Sequence, residues 1–328
     1  MLKFMLRRLS YAVIAVFAIS LVSFAVIQLP PGDYVTDMIN RIRITGGKID
    51  PAFEQRMREV YGFNEPMIVQ YVKWMSNIIT RGEFGYSFVY KRDAGEMIGE
   101  RLPTTAVMVL GAVTLTWAIA LPLGILAAVN KHSIIDYGAI FIGFVGLAVP
   151  SFILAIVVMY LTFRAVGRVN IGLFSPEFVD APWSLARLLD LLRNMWLPAL
   201  LAAVTGIGAL TQTMRANLLD ELNKPYVTTA RAKGLAEWKL LAKYPVRHAL
   251  NPFVSTIGWL LPALVTGDVI ISIVLNLPTA GSMLYAALIQ QDQYVAAGFI
   301  LLLSTLTVAG TLISDLLLAW LDPRIRLA

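Results

Sequence analysis

Long apolar runs alternate with short polar segments along most of this 328-residue chain. A helix that crosses about 30 Å of hydrocarbon needs about 20 mainly apolar residues. Because backbone polar groups in lipid must be satisfied within the segment, such runs are predicted to be α-helical. The pattern therefore predicts an all-α integral membrane protein with six transmembrane helices. The six predicted spans are 9–29, 104–129, 136–164, 196–217, 253–275 and 297–319.

Two residue types modify these spans. Prolines fall inside or near four of them and are predicted to kink or interrupt the helices, since proline lacks the backbone N–H. These prolines are Pro122, Pro150, Pro198 and Pro262. Small residues recur in the fourth span and predict close helix packing. They are Ala199, Ala202, Ala203, Gly206, Gly208 and Ala209.

Lysine and arginine are distributed unevenly between the loops. With the N-terminus in the cytoplasm, the inner side carries Lys3, Arg7, Arg8, Lys131, Arg215, Lys224, Arg231, Lys233, Lys239, Lys243, Arg247, Arg324 and Arg326. The short outer loops then carry Arg164, Arg168, Arg187 and Arg193. The segment 30–103 has ten basic and ten acidic residues, and loops of this length are translocated regardless of charge. The positive-inside rule therefore predicts that both termini are cytoplasmic.

These boundaries predict four regions. They are an N-terminal transmembrane helix (1–30), an outer helical segment (31–103), a five-helix core (104–319) with a cytoplasmic loop at 218–252, and a cytoplasmic tail (320–328).

The outer segment carries helix signals of its own. Asp50 and Pro51 form a helix start and Gly62 a stop, and Pro66 opens a second, amphipathic helix. The side chains predicted to share one side of that helix are Met67, Val72, Met75 and Ile79.

A third amphipathic pattern lies between the third and fourth spans. Its apolar face consists of Leu185, Leu188, Leu189 and Leu192, opposite Arg187, Asp190 and Arg193. This pattern is typical of a helix that lies on the bilayer surface.

Composition excludes several classes of site. The chain is 58% hydrophobic and 15% charged, with no cysteine, which excludes a disulfide framework and thiolate metal sites. His132 and His248 are the only histidines and lie far apart in sequence, so a histidine metal site is not expected. The net charge of +6 follows the membrane topology and does not indicate nucleic acid. No phosphate-binding loop or catalytic set is present, so neither a cofactor nor enzymatic activity is predicted.

The strongest interruption of the apolar pattern is the basic insert 223–252. It is predicted to form a pair of short helices broken at Gly234, with Arg231 and Lys233 exposed to water. A membrane protein with such a loop is expected to present it to a soluble partner.

Asp268 is the deepest charge predicted within a span. Charges in spans are costly and usually face a bundle interior or water. Two interpretations remain open for it: an interhelical hydrogen bond, or part of a polar translocation path. The candidate path residues are Asp268, Ser272 and Asn276.

The basic insert also carries a family resemblance. The run Tyr226–Leu235 (YVTTARAKGL), followed by a basic helix ending in Arg247–Pro252 (RHALNP), resembles the cytoplasmic loop of ABC importer permeases. It is similar to the peptide/opine/nickel branch, in the subunit type with a large outer loop after the first helix. Four further stretches agree: Arg7-Arg8-Leu9, Tyr61-Gly62 through Gly85-Tyr86-Ser87, Arg101-Leu102-Pro103-Thr104, and Leu321-Asp322-Pro323-Arg324-Ile325-Arg326.

The resemblance implies an importer subunit of a prokaryotic inner membrane that works by alternating access. Its implied partners are a second, homologous permease subunit, two ATP-binding ABC subunits and an extracytoplasmic substrate-binding protein, in a surrounding of membrane lipid. The loop would couple the permease to an ATPase. The implied coupling residues are Tyr226, Thr229, Ala230, Arg231, Ala232, Lys233, Gly234 and Leu235.

The resemblance leaves the substrate open. Many peptide-type members carry Pro-Gly-x-Gly after the fifth span with an acidic residue just before it. Here the stretch reads Pro278-Thr279-Ala280-Gly281, with the acid at Asp268, a pattern closer to members associated with oligosaccharides or glycosides. Oligopeptides and oligosaccharides are therefore nearly equal candidates for the substrate class.

Two other functional classes are alternatives to an importer permease. One is a self-contained ion-coupled transporter or channel that uses Asp268, and the other is a membrane enzyme that uses Asp268 and Asp315. A self-contained carrier does not need a basic helix–Gly–helix insert and is expected to have a second, inverted half, which this sequence does not show. For the enzyme, the two carboxylates are predicted to lie at different depths, and no nucleophile or metal ligand accompanies them.

Overall fold

The computed structural model describes residues 2–28, 34–44, 51–60, 64–87, 89–167, 172–179, 181–255 and 269–321. Much of the fifth predicted span, including Asp268 and Pro262, lies outside the described residues, as do Gly62 and most of the predicted tail. The chain divides into two compact units. The core unit comprises Met1–Leu6, Ala106–Leu277 and Ala309–Ala328, and the hairpin unit comprises Arg7–Thr105 and Pro278–Val308.

Helices dominate both units. The first seven are α1 (Leu2–Gln28), α2 (Tyr34–Ile44), α3 (Pro51–Val60), α4 (Met67–Arg81), α5 (Ala94–Val129), α6 (Ile134–Ala148) and α7 (Ser151–Val166). They are followed by α8 (Leu185–Asn194), α9 (Trp196–Leu222), α10 (Pro225–Ala232), α11 (Glu237–Lys243), α12 (Pro245–Ser255), α13 (Ala280–Ile289) and α14 (Gln293–Leu321). Residues 269–274 are also helical. A small antiparallel hairpin, which the sequence did not predict, pairs β1 (Tyr86–Ser87) with β2 (Arg92–Asp93).

Within the described ranges, four helices are long and apolar enough to cross a membrane: Met5–Ala25, Ala94–Val129, Trp196–Leu222 and Gln293–Leu317. They correspond to the first, second, fourth and sixth predicted spans. The α6–α7 pair supplies a fifth if the two bent helices are counted as one span. The all-α membrane architecture is thus confirmed.

The third predicted span is not one continuous helix. It consists of α6 and α7, whose axes differ by 96°. Pro150 precedes α7 and Val149 has the extended conformation φ −91°, ψ 117°, because a residue before proline is pushed out of the helical region. The predicted interruption at Pro150 is confirmed. Helix α5 continues through Pro122, and Pro198 lies in the first turn of α9, where a missing N–H breaks no helical bond.

Glycines bring α6 and α9 into backbone contact in the core unit. A Cβ added at Gly208 would lie 2.5 Å from the carbonyl oxygen of Gly143. One added at Gly146 would lie 2.8 Å from the carbonyl oxygen of Val204. The close packing predicted from the small residues of the fourth span is therefore confirmed at Gly208.

In the hairpin unit, α4 packs on α1 through its aromatic side chains. Phe24 on α1 stacks on Trp74 with ring centroids 5.3 Å apart, and the Ser20 and Tyr71 hydroxyls are hydrogen-bonded at 2.7 Å. The side chains predicted to share one side of α4 include Val72 and Ile79, which are 57% and 75% exposed, while the buried side chains of the helix are Tyr71 and Trp74. Tyr71 and Trp74 are buried because their polar atoms find partners, as in the 2.8 Å bond from Trp74 Nε1 to the Phe84 carbonyl.

The predictions for α3 and α8 agree with the structure. Helix α3 begins at Pro51, as predicted. Helix α8 exposes Leu185, Leu189 and Leu192, while Leu191 is buried. An exposed apolar face of this kind suits a helix at the surface of a bilayer.

A buried carboxylate joins the β-hairpin to the turn before α14. Asp292 is 1% exposed and accepts a hydrogen bond from the Ser87 hydroxyl. Burial raises the pKa of Asp292, and the hydrogen bond from Ser87 offsets part of that rise.

Replacing Asp292 with asparagine is expected to raise the unfolding temperature of the purified protein more at about pH 8 than at about pH 4. The raised pKa means that ionising the folded carboxyl costs stability as the pH rises above the ordinary value of 3.8. Below that value the acid is protonated in both states and the cost vanishes. Thermal unfolding at the two pH values measures the difference, and equal shifts at both would contradict the burial argument.

Candidate functional site

The loop after α9 is built from two short helices separated by a glycine. Helix α10 begins at Pro225, whose missing N–H is harmless in a first turn. It ends at Ala232, with Lys233 as its C-cap. Gly234 follows with φ +75°, a left-handed conformation that favours glycine. Nothing lies within 4 Å of a Cβ built at Gly234, so the backbone angle alone requires the glycine. The predicted helix–Gly–helix arrangement is confirmed.

This loop has a small hydrophobic core of its own. Val227 and Ala230 from α10 and Leu240 from α11 are buried together. Tyr226, Leu235 and Tyr244 pack around them. The two short helices therefore support each other as a compact knob, although neither is long enough to be stable alone.

Polar contacts fix the base of the knob to the end of α9. The Tyr226 hydroxyl donates to the Glu221 carboxylate, and Lys224 Nζ lies 2.6 Å from Glu221 Oε1. The Tyr226 ring also contacts the His248 ring at 5.6 Å between centroids. Burial, and then the neighbouring Glu221, raise the pKa of Tyr226, so this phenol stays protonated as a donor.

The other side of the knob faces outward. Thr229 and the stretch 231–234 are exposed, whereas Ala230 is 7% exposed and Leu235 is half-buried. The predicted exposure of Arg231 and Lys233 is confirmed. The eight predicted coupling residues thus divide into an outward surface and a supporting core.

Arg231 also has a partner within the chain that the sequence did not indicate. Its Nη2 lies 2.5 Å from Oε1 of Glu237, across the Gly234 turn. The Arg231 guanidinium holds the pKa of Glu237 below its ordinary value. Exposed ion pairs contribute little to stability, so loss of the Arg231–Glu237 pair would cost the fold little.

A large aromatic side chain of α11 is exposed on the knob. Trp238 is 69% exposed, with Lys239 Nζ 5.3 Å from its ring centroid. Neither Trp238 nor Glu237 was predicted from the sequence as a residue of this site. Glu237 is six residues from Arg231 and meets it only because the chain turns at Gly234, a spacing that helix pair rules do not detect.

The candidate path residues Ser272 and Asn276 differ in their exposure to solvent. Ser272 is fully buried, while Asn276 is exposed and has φ +52°. The Leu277 amide bonds to the Ser272 carbonyl at 2.7 Å, and the Asn276 amide bonds to the Ile273 carbonyl at 3.2 Å. These bonds form a Schellman motif, which needs a left-handed residue such as asparagine. Helix capping therefore accounts for Asn276, and Asp268 lies outside the described residues.

Metal chemistry gains no support from the part of the chain that the structure describes. No group of three or more His, Asp or Glu side chains in these residues has the geometry to hold an ion.

Comparison with known proteins identifies the class. Residues 120–327 match the family described as "Binding-protein-dependent transport system inner membrane component". Residues 1–109 match the N-terminal membrane component of the same systems. The chain belongs to this family of ABC importer permeases.

Individual relatives cover almost the whole chain. An oligopeptide transport system permease protein, AppB, of Bacillus subtilis (strain 168) is 33% identical over 99% of this chain and 100% of its own length. A putative peptide transport system permease protein of Brucella abortus (strain 2308) is 31% identical over 99% of each chain. A peptidoglycan transport system permease protein, YejB, of Agrobacterium fabrum is 28% identical over 98% of this chain and 97% of its own.

The chain is therefore a permease subunit of an ABC importer, a multi-pass membrane protein whose family works with ATPase subunits and a substrate-binding protein. The self-contained carrier and the membrane enzyme are not favoured, because family membership covers both halves of the chain.

Proposed function

We propose that this chain is one of two homologous permease subunits in an oligopeptide importer, and that one ATPase subunit docks on the loop Tyr226–Leu235. The observation that carries the docking proposal is the knob itself. It has a hydrophobic core of its own, a glycine turn with φ +75° and an exposed surface over 231–234. Two ATPase subunits would serve the permease pair, one at each loop.

Rigidity is what makes the knob useful for coupling. A flexible loop would absorb the movement of a partner, whereas a packed one passes it on. Helix α9 runs without interruption from Trp196 to Leu222, and two residues separate it from α10. Closure of the ATPases on ATP would therefore tilt α9 and drive alternating access.

The proposed topology places the knob on the cytoplasmic side. Six transmembrane segments, with residues 253–275 as the fifth, put both termini inside a prokaryotic inner membrane. The support is the excess of lysine and arginine in the loops on that side. The segment 31–103 then faces outward, where a substrate-binding protein delivers its cargo.

Oligopeptides are the proposed substrate class because the relatives' names refer to oligopeptide and peptide transport. A carboxylate at Asp268 suits a peptide ammonium group, whereas hydroxyls at Ser272 and amides at Asn276 would suit a sugar. Ser272 is buried and the backbone of Asn276 caps a helix, which weakens the case for oligosaccharides.

The first test of the substrate class is a thermal-shift screen of the cognate binding protein against oligopeptides and oligosaccharides. Peptides are expected to raise its unfolding temperature through mass action on the folded state. In the assembled importer, Asp268→Asn should then reduce peptide uptake. Stabilisation by sugars alone would contradict the peptide proposal, and unchanged uptake by Asp268→Asn would leave Asp268 a packing residue.

A further inference from the structure

A partly buried ion pair joins α6 to α9 close to the coupling loop. Arg215 Nε lies 2.5 Å from Asp136 Oδ1, and Arg215 Nη2 lies 2.8 Å from Asp136 Oδ2. The Asp136 side chain is 1% exposed and that of Arg215 is 19% exposed. Two parallel bonds between planar groups fix orientation as well as distance, and burial protects them from screening by salt.

The carboxylate is also tied to the start of its own helix. The His132 amide donates to Asp136 Oδ2 at 2.9 Å, and the Asp136 amide donates to the Ser133 hydroxyl at 3.2 Å. Ser133 is the N-cap of α6. A pull on Arg215 therefore reaches the first turn of α6 and the α5–α6 turn together.

The ion pair is not needed simply to hold α6 against α9. Gly143, Gly146 and Gly208 already hold α6 and α9 in backbone contact further along the helices. Replacing a buried pair by apolar residues often leaves stability unchanged or higher, so stability alone is a weak reason for a buried fork. The pair adds a second fixed point, seven residues before α9 ends at Leu222.

We infer that the Asp136–Arg215 pair is a positioning element, which makes α6 move with α9 when the coupling loop is displaced. With two fixed points along their length, the helices cannot rotate or slide against each other. Movement of the knob then carries α6 as far as the break at Val149 and Pro150. This inference rests on the proposed function, because it assigns the source of movement to an ATPase at the loop.

The direct test is a distance measurement across the pair during the ATP cycle. The chain contains no cysteine, so spin labels are placed at Ile134→Cys, 91% exposed on α6, and at Asp220→Cys, exposed on α9. The complex carries cysteine-free partner subunits. The distance is expected to be the same in nucleotide-free and ATP-trapped complexes. A change of more than about 2 Å, the size of an ordinary helix shift, would overturn the inference.

A second measurement separates positioning from simple support. Asp136→Asn keeps an acceptor for the His132 amide but removes the charge that holds Arg215. It is expected to lower substrate transported per ATP by about fivefold or more, at the lower end of coupling between sites. The Ile134–Asp220 distance should then change on ATP binding. Transport per ATP and distance both equal to those of the native complex would overturn the inference.

Two further variants complete the design. Glu65→Gln breaks an exposed 2.5 Å ion pair with Lys73 in the hairpin unit and should change neither readout. Arg215→Lys keeps the charge but loses the two parallel hydrogen bonds, and it should lower transport per ATP by less than Asp136→Asn does. Arg215→Lys replaces Asp136→Asn in the test if the Asp136→Asn complex fails to accumulate. If the native complex showed no ATP-dependent uptake, the proposed function would fail, whereas a changed Ile134–Asp220 distance in a complex with ATP-dependent uptake would overturn only the inference about the pair.

Discussion

Gly234→Pro is expected to reduce substrate uptake by about tenfold or more while ATP hydrolysis continues without substrate control. Proline requires φ near −65°, whereas Gly234 has φ +75°. The turn between α10 and α11 therefore cannot form, and the surface over 231–234 loses its shape. Uptake and ATP hydrolysis in proteoliposomes, measured on the same preparation, give transport per ATP.

Gly82 offers a matched control. It follows α4 in the hairpin unit with φ +71°, and nothing lies within 4 Å of a Cβ built there. Gly82→Pro imposes the same backbone conflict away from the proposed docking surface. It should lower the amount of complex without lowering transport per ATP. Equal loss of coupling in both variants, or normal coupling in Gly234→Pro, would contradict docking at the loop.

Arg231 distinguishes docking from internal pairing. Arg231→Glu places a second carboxylate beside Glu237 and should also uncouple transport. Exchanging the two charges, as in Arg231→Glu with Glu237→Arg, restores the internal pair but not a contact between position 231 and an ATPase. The double variant is therefore expected to remain uncoupled, and full recovery would show that the internal pair alone matters.

Gly208→Ala is expected to destabilise the protein by about 1–3 kcal/mol, the usual cost of overpacking a tight interface. The added Cβ would lie 2.5 Å from the Gly143 carbonyl oxygen, so α6 and α9 must separate. Thermal unfolding of the purified complex measures the loss as a lower midpoint, together with faster inactivation of transport.

The control for this substitution lies on α6 itself. A Cβ at Gly138 meets nothing within 4 Å, so Gly138→Ala should be neutral or stabilise the helix by up to about 1 kcal/mol. The ordering of the two variants is the result to examine. If Gly138→Ala were as damaging as Gly208→Ala, the loss in Gly208→Ala could not be assigned to the close contact between α6 and α9.

Much of this architecture is predictable because membranes impose simple rules on sequence. The spans of α1, α5, α9 and α14 follow from apolar length alone, and Pro150 indicated the break in the third span. The knob was predictable as well, since Pro225 and Gly234 are standard boundaries of a short helix. Its proposed role in coupling comes from the family resemblance.

The remaining features depend on contacts between residues distant in sequence. The burial of Tyr71 and Trp74 on α4 was not predicted, because it depends on Ser20 of α1 and on the carbonyl of Phe84. The Asp136–Arg215 pair joins residues 79 apart, which no local pattern reveals. Asn276 was interpreted by side-chain chemistry, whereas its backbone angle places it in a helix cap.

The most direct test of the central claim is site-specific cross-linking from the knob. A photoreactive amino acid at Lys233 in the assembled importer should form an adduct with the ATP-binding subunit, identified by mass spectrometry. The same group at Lys73 in the outer segment should form no adduct with that subunit. Cross-linking from Lys73 to the ATPase would contradict the proposed topology, and no cross-linking from Lys233 in a complex that hydrolyses ATP would contradict the docking surface.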